Sequence, residues 1–326
     1  MKFKRNTPIL HIRQPHHDGV GAQLFRIFSA YAIAKEWKMA FSYEPLREID
    51  NQVFQNSDLE LESWNAFLAN LIPQDLNTKT ILKLQLVHRN HRPSKLLSMI
   101  RGLEFMGLPV KHILDSPQVI TNKNPQMLAS LDFSDSIERF LDKKSTESVN
   151  IVLHIRQGEL ALSQFRDRYL PLGYFESFLA EFIPLLVQNG ISYKVSITTE
   201  PGQNNLIDGA DPKIMESFKI DPANPALIPV GENSFMLKHE KPSYAHTPHL
   251  TNAHWLPPAS SWADFRVFLN ADVLVLSKSS FSYLAGVLNK KAIVVCPNFW
   301  HPPLAGWYSS ADAHMIFSKL TASLES

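Results

Sequence analysis

Apolar and polar positions switch repeatedly between a period of two and a period near three and a half, and each switch marks a change of element. In the first half, residues Pro8 to Arg13 predict a short strand. A polar loop from Gln14 to Gln23 follows, and then a run from Leu24 to Lys38. In that run Leu24, Phe25, Phe28, Tyr31, Ala32 and Trp37 recur at spacings that bury one face of a helix. Phe41 to Tyr43 and Leu82 to Val87 read as further strands, and Asp58-Leu-Glu-Leu-Glu62 as a solvated helix face. Helical runs over Lys95–Phe105 and Ser136–Leu141 are split by Pro109, Pro117 and Pro125, so this half is the less regular one.

The second half keeps a clearer rhythm. A strand from Asn150 to Ile155 is followed by a helix from Leu172 to about Val187 and a strand from Tyr193 to Thr199. After a Pro- and Asn-rich passage, Pro201 to Pro258, come a helix (Trp262–Leu269), a buried strand (Asp272–Ser277), a helix (Ser280–Leu288) and a strand (Ala292–Cys296). Strands alternating with helices across short connections predict an α/β fold with parallel, doubly wound sheets. The turn-rich stretch Lys143-Lys-Ser-Thr-Glu-Ser148 sets the expected boundary between an N-terminal α/β domain, 1–148, and a C-terminal Rossmann-like domain, 149–326.

Composition narrows the partners. With 326 residues, 44% hydrophobic and 19% charged, the chain has material for two cored domains. Lys and Arg number 32 against 31 Asp and Glu, so no overall field recruits nucleic acid or an anionic membrane, and any anion site has to be local. The basic cluster His88-Arg-Asn-His-Arg92 has no interleaved aromatic residues and reads as a solvated loop. The single cysteine, Cys296, rules out internal disulfides, reads as core and fits a reducing compartment. Neither a signal peptide nor a membrane span is expected, which points to a cytoplasmic protein, at most peripheral to a membrane.

Chemistry concentrates in two places. The apolar strand ending at Ile155 runs into charge through His154, Arg156 and Glu159, and ligands of open α/β sheets bind outside the carboxyl ends of strands. A surface strand whose arginine pairs with a carboxylate would look the same. Gly19 and Gly21 stand together in a chain with 12 glycines, which predicts either a tight turn or a close backbone approach. Leu10-His-Ile-Arg-Gln14 and Leu153-His-Ile-Arg-Gln157 are identical pentapeptides, each at a predicted strand end in its own half. Two related halves would account for them, and so would coincidence. No Asp-x-Asp pair occurs, and His16 and His17 are adjacent in a loop without a thiolate partner, so no metal site is expected.

Three segments together resemble the fucosyltransferase superfamily of bacterial α-1,2-fucosyltransferases and protein O-fucosyltransferases, over about half the chain. They are Gly19-Val-Gly-Ala-Gln-Leu-Phe25, then His154-Ile-Arg-Gln-Gly-Glu159 with Leu170-Pro-Leu-Gly-Tyr-Phe175, and Asp264 through Asp272-Val-Leu-Val-Leu-Ser-Lys-Ser-Ser-Phe-Ser282. Ala22, Gln157 and Glu159 stand where the family usually has Asn, a second Arg and Asp. The resemblance implies a GT-B architecture, two Rossmann-like doubly wound domains facing a cleft, with the sugar nucleotide held by the C-terminal half. It also implies inverting, metal-independent transfer of L-fucose from GDP-β-L-fucose to a hydroxyl of a glycan acceptor, with no cofactor beyond the donor substrate.

Departure of a nucleoside diphosphate without a metal requires positive charge and N–H donors from the protein, which Arg156 and the helix start at Ser279, Ser280 and Phe281 could supply. Simple N-capping of that helix is the other reading of the serines. By resemblance, Gly19 and Gly21 also contact the donor, and His154 and Asp264 face the guanine. Asp264 reads equally as the third helical position of a capping box begun at Ser261. The catalytic base is placed on Asp18, with His17 and Glu159 as rivals. Two alternatives stand beside this assignment: the same fold using another sugar nucleotide, and an inactive glycan-binding or scaffold protein motivated by Ala22 and Gln157.

Overall fold

The computed structural model describes residues 9–13, 19–46, 57–73, 84–88, 110–114, 116–141, 148–156, 168, 170–199, 206–207, 227–229, 235–237, 247–256 and 260–325. The chain divides into two compact units. One holds Met1–Phe140 and Trp300–Ala305; the other holds Leu141–Phe299 and Gly306–Ser326.

The first unit is built on a parallel sheet of β1 (Ile9–Ile12), β2 (Ala40–Tyr43), β3 (Leu84–His88) and β4 (Val110–Leu114), in the order β2-β1-β4-β3. Helix α1 (Val20–Glu36) buries Leu24, Phe25, Ile27, Phe28 and Ile33 and packs on α3 (Gln118–Lys123) and α4 (Gln126–Ala129). The hydroxyl of Thr121 donates to that of Ser29 at 3.0 Å, satisfying two polar groups inside this packing. Between them comes α2 (Ser57–Leu71). Here one expectation fails. Glu60 is buried while Leu59 is 70% exposed, so the acidic run is a helix in which Glu62 faces water but Glu60 turns inward. The spacing explains it: Trp64, Phe67, Leu68 and Leu71 form the buried stripe, and position 60 lies on that stripe one turn earlier. Strand β4 was not predicted, because Lys111 and His112 interrupt its apolar run.

The second unit carries a five-stranded parallel sheet of β5 (Val149–Ile155), β6 (Tyr193–Thr199), β10 (His254–Trp255), β11 (Val273–Val275) and β12 (Ile293–Val295), ordered β10-β6-β5-β11-β12. It is doubly wound, as expected. One face, with Ile151, Leu153, Ile155, Val195, Ile197, Val273, Val275, Ile293 and Val295, is covered by Phe175, Phe178 and Phe182 of α6 (Leu172–Gln188) and by Ile316 and Leu320 of α10 (Ala313–Leu324). The opposite face meets α8 (Ser261–Leu269) and α9 (Ser280–Leu288), where the His154 ring lies 5.1 Å from Phe268 and 6.2 Å from Phe281. Gly286 lets α9 approach β12: a Cβ there would stand 3.3 Å from a Val294 methyl and 3.2 Å from the Trp307 ring. Within the Pro- and Asn-rich passage, β7 (Leu206–Ile207), β8 (Leu227–Pro229) and β9 (Phe235–Leu237) form a small antiparallel sheet, followed by α7 (Pro248–Asn252). Among the described residues, no helix is long and apolar enough to cross a membrane.

Side chains pin the amino ends of this sheet. The Asp272 carboxylate accepts from the Asn150 amide at 2.8 Å, and the Asp272 amide donates back to the Asn150 carbonyl at 2.9 Å. The Asn289 side-chain amide donates to the carbonyls of Phe268, Leu269 and Ala271, and its oxygen accepts from the amides of Lys291 and Ala292. Helix α8 and strand β11 are thereby held to the start of β12, so the carboxyl ends are presented on a fixed frame.

Candidate functional site

The connections diverge at the middle of the five-stranded sheet. From β5 the chain passes through α6 to β6 on one side; from β11 it passes through α9 to β12 on the other. The neighbouring carboxyl ends of β5 and β11 therefore form the topological switch point, the position at which open α/β sheets bind ligands. His154 is the penultimate residue of β5, Arg156 follows it directly, Ser277 lies just beyond β11, and Ser279 is the N-cap of α9.

These side chains touch. The Arg156 guanidinium donates from Nη1 to Ser279 Oγ at 3.3 Å, and the same oxygen accepts from the Phe281 amide at 3.3 Å. The serine cap and the guanidinium are thus one assembly, with a full positive charge joined to the positive end of a helix dipole. Such an end binds phosphate oxygens through backbone N–H groups, and a planar guanidinium can hold two of those oxygens at once.

His154 Nδ1 and Ser277 Oγ are hydrogen-bonded at 2.8 Å, and both residues are buried. Burial, reinforced by the Arg156 charge, lowers the imidazole pKa to about 3, so His154 is neutral at physiological pH. A neutral ring offers one donor and one acceptor nitrogen, and Ser277 occupies one of them. Ser277 was not singled out from the sequence. The available signal was its place directly after a buried strand, level with the histidine that ends the neighbouring one.

Asp264 lies on α8, adjacent to Phe265, whose ring packs 5.2 Å from Phe281. The capping box expected at Ser261 does not form there. Ser260 is the N-cap and accepts from the Ala263 amide at 3.2 Å, so the box's acidic position falls on Ala263 and Asp264 sits one residue further along. A hydroxyl one residue earlier in the chain had taken the cap. Phe281 belongs to a ring cluster with Phe265, Phe268 and His154.

In the first unit, Gly19 is the N-cap of α1, with Gly21 in its first turn. Gly19 has φ −63° and a Cβ there would meet nothing within 4 Å, so neither a left-handed turn nor a close neighbour among the described residues demands glycine. The pentapeptide echo extends to contacts: His11 Nδ1 meets Ser42 Oγ at 2.8 Å, the same distance as in the His154 pair. Asp18, His16, His17, Gln157 and Glu159 lie outside the described residues. Among the described residues, no cluster of three or more His, Cys, Asp or Glu side chains could hold a metal ion.

No family model matches the chain, and no curated protein sequence matches it. Solved structures do. POFUT1 in complex with GDP-fucose matches with 11% identity over 89% of this chain and 97% of its own, at a TM-score of 0.38. E. coli heptosyltransferase WaaC with ADP-2-deoxy-2-fluoro heptose matches with 12% identity over 95% and 99%, at 0.39. The S. aureus MnaA–UDP structure matches with 9% identity over 98% and 89%, at 0.35. At this depth the likenesses carry no weight for the chemistry, which rests on the residues described above.

Proposed function

We propose that the protein is a GT-B glycosyltransferase that transfers L-fucose from GDP-β-L-fucose to a hydroxyl of a glycan acceptor, with inversion and without a metal. The supporting observation is the joined Arg156–Ser279 assembly at the start of α9, where Nη1 stands 3.3 Å from Oγ at the sheet's switch point. Fucosyl transfer separates charge. The bond from C1 to the β-phosphate oxygen breaks, and its electron pair leaves on the diphosphate. Arg156 and the first-turn amides of α9 stabilise that developing charge in place, so binding strengthens as the bond opens.

The donor's base is assigned to the neighbourhood of His154 and Asp264. A carboxylate accepts both N1–H and N2–H₂ of guanine, a pairing that uracil and adenine do not offer. The three sequence segments that resemble the fucosyltransferase superfamily support L-fucose as the sugar. Gly19 and Gly21 are assigned to the donor on the same ground. Incubation with GDP-fucose in the presence of EDTA tests the reaction. Release of GDP continues under chelation; complete loss restored by manganese or magnesium contradicts the metal-free mechanism.

A further inference from the structure

Two hydroxyls in succession at the carboxyl end of β6, Thr198 Oγ1 and Thr199 Oγ1, are buried without a hydrogen-bond partner among the described residues. A hydroxyl buried in this way has given up its bonds to water and gained none in return, so native folds keep few of them. The two face opposite ways. Register pairs Thr198 with His154 and Thr199 with Ile155, and successive side chains of a strand point to opposite faces of the sheet. Thr199 therefore falls on the face of Ile155 and Ile197, which is packed with apolar side chains. Thr198, only 2% exposed, falls on the face of His154, where the rings of Phe268 and Phe281 stand 5.1 and 6.2 Å from the imidazole. All of these residues belong to the second unit.

Position along the sheet says what Thr198 is suited to bind. The Arg156–Ser279 assembly joins the ends of β5 and β11, whereas Thr198 lies on the other side of β5, one strand spacing of about 4.8 Å further over. A donor whose diphosphate rests on Arg156 and Ser279 therefore meets Thr198 with the next part of the molecule and not with phosphate. The chemistry agrees. A neutral hydroxyl both donates and accepts, which serves the hydroxyls and base edges of a nucleoside, while phosphate calls for a cation. Beside it stands His154, whose Nδ1 is held by Ser277 at 2.8 Å and whose second nitrogen is further round the ring. Aromatic walls with a few placed polar groups are what planar ligands with polar edges require. One rotation about χ1 exchanges a threonine's hydroxyl and methyl, so the group can turn to a ligand without movement of the strand.

We propose that Thr198 is a binding residue for the nucleoside of the donor, its hydroxyl hydrogen-bonding that part of the ligand beside His154. This deepens the glycosyltransferase reading above and rests on it. The orphaned hydroxyl weakens the free protein, and its bond to the nucleoside removes that penalty when the donor arrives, so the group favours the bound state twice over.

The test uses the full chain with Thr198→Val and Thr198→Ser, and reads the unliganded Tm and the rise in Tm on adding GDP or inorganic pyrophosphate. Valine keeps the shape and removes the hydroxyl. The proposal expects Thr198→Val to have an unliganded Tm equal to or above that of wild type, about tenfold weaker GDP affinity and an unchanged pyrophosphate response, with Thr198→Ser keeping most of the GDP response. A fall in the unliganded Tm of Thr198→Val overturns it, because the hydroxyl then has a structural partner. An undiminished GDP response in Thr198→Val overturns it too, as does a serine variant as weak as the valine one, or an equal loss with pyrophosphate, which puts the contact on phosphate. A wild type that responds to neither GDP nor pyrophosphate overturns the glycosyltransferase reading and the proposal together, whereas each of the other contrary results removes the proposal alone.

Discussion

His154 Nδ1 and Ser277 Oγ lie 2.8 Å apart at the adjoining ends of two parallel strands separated by more than a hundred residues of chain. The pair fixes one nitrogen of a neutral ring and leaves the orientation of the other determined. Replacing Ser277 by alanine strands a buried imidazole nitrogen, and a loss of about 1–3 kcal/mol is expected by chemical denaturation. An unchanged unfolding midpoint would show that the contact contributes nothing.

Acid should weaken the fold through two buried imidazoles. His154 and His301 both have pKa values lowered from 6.5 to about 3 by burial. His301 is held at Nδ1 by Asn122 at 2.8 Å and packs 4.1 Å from Phe25. Below pH 6.5 the unfolded chain takes up protons that the folded chain refuses, so stability falls as pH drops from about 6.5 towards 3. Each ring contributes up to about 1.4 kcal/mol per pH unit across that window. Denaturation of His301→Asn should show a shallower slope than wild type; equal slopes would remove this account of acid lability.

The two ends of the second unit's sheet should respond oppositely to mutation. Asn289 makes five hydrogen bonds at the amino ends, three of them buried. Asn289→Ala is expected to cost about 2–4 kcal/mol while leaving GDP affinity intact at the temperature where the variant is folded. Weakened GDP binding in a fully folded Asn289→Ala would mean the frame and the site are not separable.

Asp264 can now be tested without its capping alternative, since Ser260 supplies the cap. Asp264→Asn is expected to keep the unliganded Tm and to lower GDP affinity about tenfold or more, with less discrimination against other nucleotides. A fall in Tm with GDP affinity unchanged would return Asp264 to a purely structural role.

Arg156→Ala is expected to abolish GDP release from GDP-fucose. Arg156→Lys should recover little, because an ammonium is a point charge and cannot bridge two phosphate oxygens as the planar fork does. Turnover in the lysine variant near that of wild type would exclude the bidentate role.

Much of the second unit could be read from its residues, because strands buried on both faces give unbroken apolar runs: Asp272-Val-Leu-Val-Leu and Ala292-Ile-Val-Val. The ligand-facing strand end followed from the same pattern, since charge beginning abruptly at Arg156 marks the end of such a run, whereas its place at the switch point needed the strand order. What the sequence hid was set by tertiary contacts. Lys111 and His112 conceal a strand that pairs with both β1 and β3. Glu60 is buried because its helix turns that face inward, and Ser260 rather than Ser261 caps α8. Strands of two or three residues between Leu206 and Leu237 are too short to show a period.

The most direct test of the central claim is the change in Tm of the wild type and of Arg156→Ala on adding GDP, UDP, ADP or CMP at equal concentration. The account predicts that GDP raises the wild-type Tm most, by an amount that grows with the logarithm of its concentration, and that Arg156→Ala loses this rise while keeping its unliganded Tm. A larger rise with UDP or ADP than with GDP, or an undiminished GDP response in Arg156→Ala, would contradict it.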